Sequence, residues 1–208
     1  WLADFTLNAG LFNGNGIGQE TDSRKDFIGR LAYLKKFDDR QVGAEFSYYD
    51  GGVRNPTANN YTFKKGVGFT ENEIREGSYA KRQYFGVGAQ FLQLWGAGTT
   101  NIRSEFLWGR QPGTFKTNAD PGGTSLGAGT DPLYLRKFNG FYAILVQDIG
   151  RSRHSVVLKY DYYDPNTEVK GNEIGLLPGT GAADIAYNTY GFGYLFRWNA
   201  NIRLMAYY

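Results

Sequence analysis

Alternation of apolar and polar residues is the dominant pattern along this chain, and residues 186–198 show it most clearly. Every second residue from Tyr190 to Trp198 is aromatic, whereas the residues between them include Gly191, Gly193 and Arg197. Successive side chains of a β-strand point to opposite faces of the sheet. The pattern therefore predicts a strand with one face of rings, called the apolar face below, and one face of glycine and polar residues, called the mixed face.

The same alternation predicts nine strands along the chain. They cover residues 1–12, 27–37, 41–49, 83–95, 101–109, 138–149, 154–163, 186–198 and 202–208. The sixth is ambiguous because "FNGFYAILVQDI" is apolar on both faces, and we assign Tyr142, Ile144 and Val146 to the apolar face so that Gln147 points the other way. A composition of 15 Phe, 16 Tyr and 29 Gly with only 6 Pro favours strands and tight turns, so the predicted fold class is all-β.

The predicted connections alternate between short and long. Short turns are expected at 38–40, 96–98, 150–152 and 199–201, and long polar segments near 13–25, 50–82, 110–136 and 164–184. Short turns at one end of a sheet and long loops at the other are typical of bacterial outer-membrane barrels. The arrangement therefore predicts an antiparallel up-and-down meander of the transmembrane type.

The residues of each face indicate whether that face contacts water or lipid. The mixed face carries Gly, Asn, Ser, Gln and charges of both signs, which suits a water-filled lumen better than a packed core. On the apolar face, rings lie near the strand ends, as amphipathic side chains do at the two bilayer interfaces. They are Trp1, Tyr48, Trp95, Trp108, Tyr162, Trp198 and Tyr208. A soluble nine-stranded domain with an aromatic core is the alternative, but it leaves the sorting of the connections unexplained.

Nine strands cannot close a single-chain bacterial barrel, because such barrels have an even number. An open sheet edge would leave backbone polar groups unpaired in lipid. We therefore expect residues 1–208 to be part of one larger barrel domain, with any signal peptide removed or not included before Trp1.

Charge and composition exclude other classes of function. A formal charge of +3 without a basic run gives no sign of nucleic-acid binding, and the absence of cysteine excludes disulfides and thiolate metal sites. The longest apolar run, "FYAILV", is too short for a membrane-spanning helix.

No catalytic or metal site is predicted, and no cofactor. His154 is the only histidine and is expected on the apolar face, away from any nucleophile. Asp161, Asp164, Asn166 and Glu168 carry oxygens that could hold calcium, but an Asp-Pro turn at the end of a strand explains the same residues.

Three stretches resemble a known family. They are "SEFLWGRQPGT" (104–114), "LKYDYYDPNT" (158–167) and "GFGYLFRWNANIRLMAYY" (191–208), and they are similar to the phosphate-selective porin O/P family, particularly its members from Bacteroidetes. The resemblance implies an outer-membrane barrel of about sixteen strands, often a trimer, that passes small anions. The expected partners are accordingly outer-membrane lipid and lipopolysaccharide, small anionic or polar solutes, and further copies or other outer-membrane proteins.

The expected function is passive diffusion of small hydrophilic solutes, with a preference for anions that could extend to phosphate. The residues expected to attract anions share the mixed face and are Arg30, Lys36, Arg103, Lys159, Arg197 and Arg203. Acidic residues of the same face, Asp4, Glu45, Glu105 and Asp161, could instead pair with them. A turn centred on Ala200 would place Arg197 and Arg203 opposite each other.

Two expectations stay open. The loop 110–137 could fold into the lumen and narrow it, or it could be an exposed extracellular loop. The alternative to a porin is a structural barrel subunit of a larger outer-membrane complex, without open-channel activity.

Overall fold

The computed structural model describes residues 2–14, 23–118 and 131–208, and they form one eleven-stranded sheet. Its strands are β1 Phe5–Asn13, β2 Lys25–Lys36, β3 Arg40–Arg54, β4 Asn59–Lys64, β5 Gly68–Glu73, β6 Tyr79–Trp95, β7 Gly98–Gly113, β8 Leu133–Asp148, β9 His154–Asp164, β10 Tyr187–Arg197 and β11 Arg203–Tyr207. Helix is confined, within these ranges, to three-residue 3-10 turns at Leu2–Asp4, Gly171–Glu173 and Ala182–Asp184. The all-β fold class is confirmed.

The strands follow one another as a meander, in the spatial order β1-β2-β3-β6-β7-β8-β9-β10-β11, and all of these neighbours are antiparallel. Each of the nine predicted strands corresponds to one of them. The short turns also lie where they were predicted, for example between Trp95 and Gly98, where Gly98 has a φ of +118°.

The hairpin β4–β5 was not predicted. It lies within the segment 50–82, which was predicted to be a long loop, and β4 also pairs in parallel with β8 from Asn60 to Thr62. The two strands are polar and short, so they lack the apolar alternation that marks the others. Strands β3 and β6 also extend to Arg54 and from Tyr79, which shortens the true connections.

The cross-strand register confirms which residues share a face, because directly paired residues point the same way. Leu7 pairs with Leu31, Leu31 with Phe46, and Phe46 with Val87. Charged residues that the register assigns to the apolar face lie outside its central part, toward the two ends of the sheet. They include Lys25, Lys35, Asp50, Lys81, Arg110 and Lys137.

The face assignment of the sixth predicted strand, β8, was wrong. Phe141 pairs with Phe106 and Leu145 with Ile102, so Phe141, Ala143 and Leu145 are on the apolar face. Tyr142 pairs with Glu105 and Ile144 with Arg103, on the mixed face. Both faces of β8 are apolar, and only the register with β7 decides between them.

The apolar face has no second layer over it in the described ranges. Leu7, Tyr190 and Phe192 expose 74%, 76% and 54% of their surface. The cluster of buried apolar residues is small and lies at the long-loop end, around Val53, Ala80 and Leu133. The rings are therefore not the packed core that a soluble aromatic-core domain would need.

The sheet is open. In the described part of the chain, β1 pairs only with β2, and β11 pairs only with β10. Successive strands are also staggered. Phe5 is the first residue of β1, at the short-turn end of the sheet. Following the paired residues from strand to strand leads, after seven steps, to Tyr190 of β10. Tyr190 lies seven residues away from the short-turn end of its own strand. The strands thus shift by about one residue per step, as tilted strands do.

Candidate functional site

The mixed face arranges its charges in rows across the sheet. One row is acidic, because Glu45 pairs with Gly88, Gly88 with Glu105, and the row continues through Tyr142 to Asp161. The next row toward the short turns is basic and contains Arg103 and Lys159, joined by Ile144. Rows of opposite sign therefore run side by side across the mixed face.

Three of the six predicted basic residues are paired with carboxylates. Arg30 is hydrogen-bonded to Glu45, the next strand's acidic residue. Lys159 Nζ lies 2.7 Å from Asp161 Oδ2, and Arg197 lies 2.7 Å from Asp148 Oδ1. These partners reduce the positive potential of the three residues, as the salt-bridge alternative predicts.

The other three, Lys36, Arg103 and Arg203, make no ion pair within 4.0 Å to any residue that the structure describes. Arg203 lies directly opposite Arg197 in the β10–β11 ladder, as the turn position predicted. Arg103 borders a cavity of about 330 Å³ on the mixed face, together with Arg30, Glu45 and Tyr142. These unpaired residues are the strongest candidates for attracting anions.

Glycines on the mixed face let neighbouring side chains lie flat against the sheet. A Cβ at Gly88 would come within 2.8 Å of Glu45 Cγ, and one at Gly43 within 2.7 Å of Gln90 Cγ. Glycine in a strand commonly marks such a close approach. The glycines thus leave room for the long polar chains to fold flat beside them.

Two buried ion pairs lie on the mixed face at the long-loop end, and neither was predicted from the sequence. Arg82 Nη2 lies 2.8 Å from Asp26 Oδ2, and Asp26 also accepts a hydrogen bond from the Tyr49 hydroxyl. Gly51 lies between β2 and β6 at this point, where a Cβ would collide with the Asp26 carboxylate. The pair therefore connects β2 and β6 across β3.

The second pair anchors the segment that follows β9. Arg136 Nε lies 2.8 Å from Asp184 Oδ1, and both side chains are fully buried. Asn166 donates to the same carboxylate oxygen at 2.8 Å, and Arg136 Nη1 donates to the Thr114 carbonyl at 2.9 Å. These residues are far apart in sequence, so no local pattern could reveal the pair.

This segment and the β4–β5 hairpin pack on each other. The amide of Phe69 donates to the carbonyl of Pro178 at 2.8 Å, and Phe69 packs against Phe63 and Tyr134. We call residues 59–73 and 165–185 the cap. The cap covers part of the mixed face at the long-loop end.

The residues considered for calcium or catalysis have separate partners. Asp161 is paired with Lys159 and Glu168 with Lys137, while Asp164 Oδ1 accepts from the Asn166 amide at 3.0 Å, as an Asp-Pro turn predicts. His154 contacts Tyr194 and Phe196 on the apolar face. Across the described ranges, no group of three or more His, Asp or Glu side chains is placed to hold a metal ion.

Residues 119–130 of the predicted pore-narrowing loop lie outside the described residues. The flanks of that loop are strands, since β7 extends to Gly113 and β8 begins at Leu133. No helix in the described ranges is long and apolar enough to span a membrane. Comparison of the chain with protein-family models, curated proteins and solved structures found no match.

Proposed function

We propose that this chain forms part of a porin barrel in the bacterial outer membrane and allows passive diffusion of small hydrophilic solutes, with a preference for anions. The observation that carries the proposal is the uncovered apolar face, whose central part is free of charge across nine neighbouring strands. In water, so large an exposed apolar surface would promote aggregation, whereas lipid is its natural solvent.

Aromatic rows at both ends of the apolar face support a bilayer setting. At the long-loop end, Tyr48, Phe85 and Trp108 pack side by side, with ring centroids 5.1 and 5.6 Å apart. At the short-turn end, Trp95 and Trp198 are exposed. Aromatic rings concentrate in this way at the two interfaces of a membrane.

The dimensions agree with an outer membrane. A stagger of about one residue per strand, with a rise of about 3.3 Å and a strand spacing of about 4.8 Å, corresponds to a tilt of about 35°. The ten residue steps from Phe85 to Trp95 then climb about 27 Å, close to the apolar band of about 25 Å of such barrels.

The open edges require further strands. In hydrocarbon, the free sides of β1 and β11 need hydrogen-bonding partners. We propose a closed barrel of about sixteen strands in the phosphate-selective porin O/P family, on the three motifs that resemble it.

The anion preference rests on residues without a carboxylate partner. Among the described residues, three of the predicted basic residues, Lys36, Arg103 and Arg203, have no ion-pair partner. Of the four predicted acidic residues on the same face, only Glu105 has none in the described ranges. Local potential at the wall, rather than net charge, selects ions.

The cap favours a second candidate, a plugged structural barrel, because the Arg136–Asp184 pair fixes it over the mixed face. Single-channel recording of the full-length protein in planar bilayers separates the two. Open, ohmic channels with chloride preference support the porin. Silence in repeated insertions of folded protein supports the plugged barrel.

A further inference from the structure

Three basic residues stand together on the apolar side of the sheet, just beyond the aromatic row at the long-loop end. Arg110 of β7 and Lys137 of β8 are directly opposite in the ladder, and Lys81 of β6 lies on the same side, two residues from Gln83, which pairs with Arg110. All three side chains are exposed. Three neighbouring strands thus present cations at one height.

The arrangement is costly without an anion. Like charges directly opposite each other destabilise a sheet. Lys137 has a partner in Glu168 at 2.8 Å, and Lys81 lies 3.8 Å from Asp50. Arg110 has no ion pair with any described residue, and two carboxylates leave one of the three cations uncompensated.

The three side chains also share a cavity. Lys81, Arg110 and Lys137 line a space of about 250 Å³, together with Glu168 and with Thr62 and Phe63 of the β4–β5 hairpin. A phosphate group fits such a space, and a guanidinium offers it two parallel hydrogen bonds. Below the cavity, Trp108 precedes Arg110 by two residues on the same face and stacks on Phe85.

We propose that Lys81, Arg110 and Lys137 bind a phosphate group of a phosphorylated glycolipid in the outer leaflet. The inference rests on the proposed function, which places the apolar face in lipid, and it assigns a specific lipid site to that face. The acyl chains would lie along the aromatic and aliphatic residues below, while the headgroup phosphate meets the three cations at the level of the bilayer interface. The site is on the outside of the wall, so it differs from the lumen residues that select ions.

Native mass spectrometry of the detergent-solubilised full-length protein, titrated with bisphosphorylated lipid A, tests the site. The variant carries Lys81→Gln, Arg110→Gln and Lys137→Gln. The control removes the same number of exposed loop-end cations, through Lys65→Gln, Arg75→Gln and Lys170→Gln. We expect the site variant to bind lipid A about tenfold more weakly, and the control to bind as the unmodified protein does. Heat-modifiability on gels establishes that each variant is folded.

Four results would overturn the site: equal affinity in the site variant, equal loss in the control, equal binding of dephosphorylated lipid A, or displacement of the lipid by an equal concentration of inorganic phosphate. The last result would assign the cavity to a free anion instead of a lipid. The conductance of the same preparations tests the porin function independently of the lipid site. Normal channels in a protein whose lipid A affinity is unchanged in the site variant contradict this inference alone, whereas silent channels with the expected loss of lipid A binding contradict the porin alone.

Discussion

Arg197 and Arg203 lie directly opposite each other in the β10–β11 ladder, on the mixed face and beside a short turn. Two like charges in this position repel each other. Asp148 of β8 lies 2.7 Å from Arg197 and accepts a further hydrogen bond from Ser155 at 2.6 Å. A carboxylate from two strands away therefore compensates half of the arginine pair.

Removing that carboxylate should destabilise the hairpin and raise the positive potential at the mixed face. We expect Asp148→Asn to cost about 1 kcal/mol, because the ion pair is half-exposed, and to increase chloride preference. Urea unfolding from vesicles and reversal potentials measure the two effects. Asp38→Asn, at another short turn, is the control and should change neither; an Asp148→Asn protein that behaves like it would show that the pair is inert.

Arg103 should contribute more to ion selectivity than the paired Arg30. Arg103→Glu reverses an uncompensated charge at the wall cavity, so the reversal potential in a potassium chloride gradient should move toward potassium. The combined change Arg30→Gln and Glu45→Gln should move it less, since the ion pair that it removes carries no net charge. Lys65→Glu makes the same charge change on the hairpin turn and should leave selectivity unchanged. Equal shifts for Arg103→Glu and Lys65→Glu would mean that the net charge of the protein, and not the position of a charge on the mixed face, sets the ion selectivity.

A charge on the apolar face should be far more costly than one on the mixed face of the same strand. In the proposed barrel, Phe192→Lys would place an ammonium among the lipid chains, and it should cost about 2 to 4 kcal/mol near the bilayer midplane. Thr189→Lys is the matched control, because Thr189 is exposed on the mixed face and pairs with Asp161. Folding yield in lipid vesicles compares them, and equal yields would count against lipid on the apolar face. Gly193 is unsuitable as a control, since a Cβ there would lie 2.8 Å from the Tyr207 ring.

The buried Arg136–Asp184 pair should hold the cap in place. Asp184→Asn leaves the Arg136 guanidinium buried without its counter-ion, which costs about 3 to 5 kcal/mol. Trypsin should then cleave at exposed Lys170 much faster. Glu168→Gln removes a more exposed partner and should cost under about 1 kcal/mol. Unchanged cleavage in Asp184→Asn would show that other contacts hold the cap.

The strands and most faces could be predicted because a period of two is a local property of the sequence. The Arg197–Arg203 pairing was predictable for the same reason, since a tight turn fixes the register of its own hairpin. In β8, by contrast, both faces carry aromatic and aliphatic residues, and only pairing with Glu105 and Phe106 decides the faces of Tyr142 and Phe141.

The cap and its ion pairs depend on contacts that no local pattern encodes. Asp26 and Arg82 are 56 residues apart, and Arg136 and Asp184 are 48 apart. The β4–β5 hairpin was missed because its polar strands pair with each other and with the end of β8, where no apolar face imposes alternation. The sequence predicted which charged residues lie on the mixed face. It did not predict their ion-pair partners, such as Asp148 for Arg197, because those come from strands that only the fold brings together.

In the proposed barrel the apolar face contacts lipid and the mixed face contacts water, and the accessibility of spin labels along one strand distinguishes the two solvents. The chain has no cysteine, so single cysteines can be introduced along β9 at Val156, Leu158 and Tyr160 on one face and at Lys159 and Asp161 on the other. For the full-length protein in lipid vesicles, nitroxides at the first three positions should collide more with oxygen, which concentrates in the bilayer. Those at the other two should collide more with a water-soluble nickel complex. Accessibility that alternates in the opposite phase, or that does not alternate, would contradict the account.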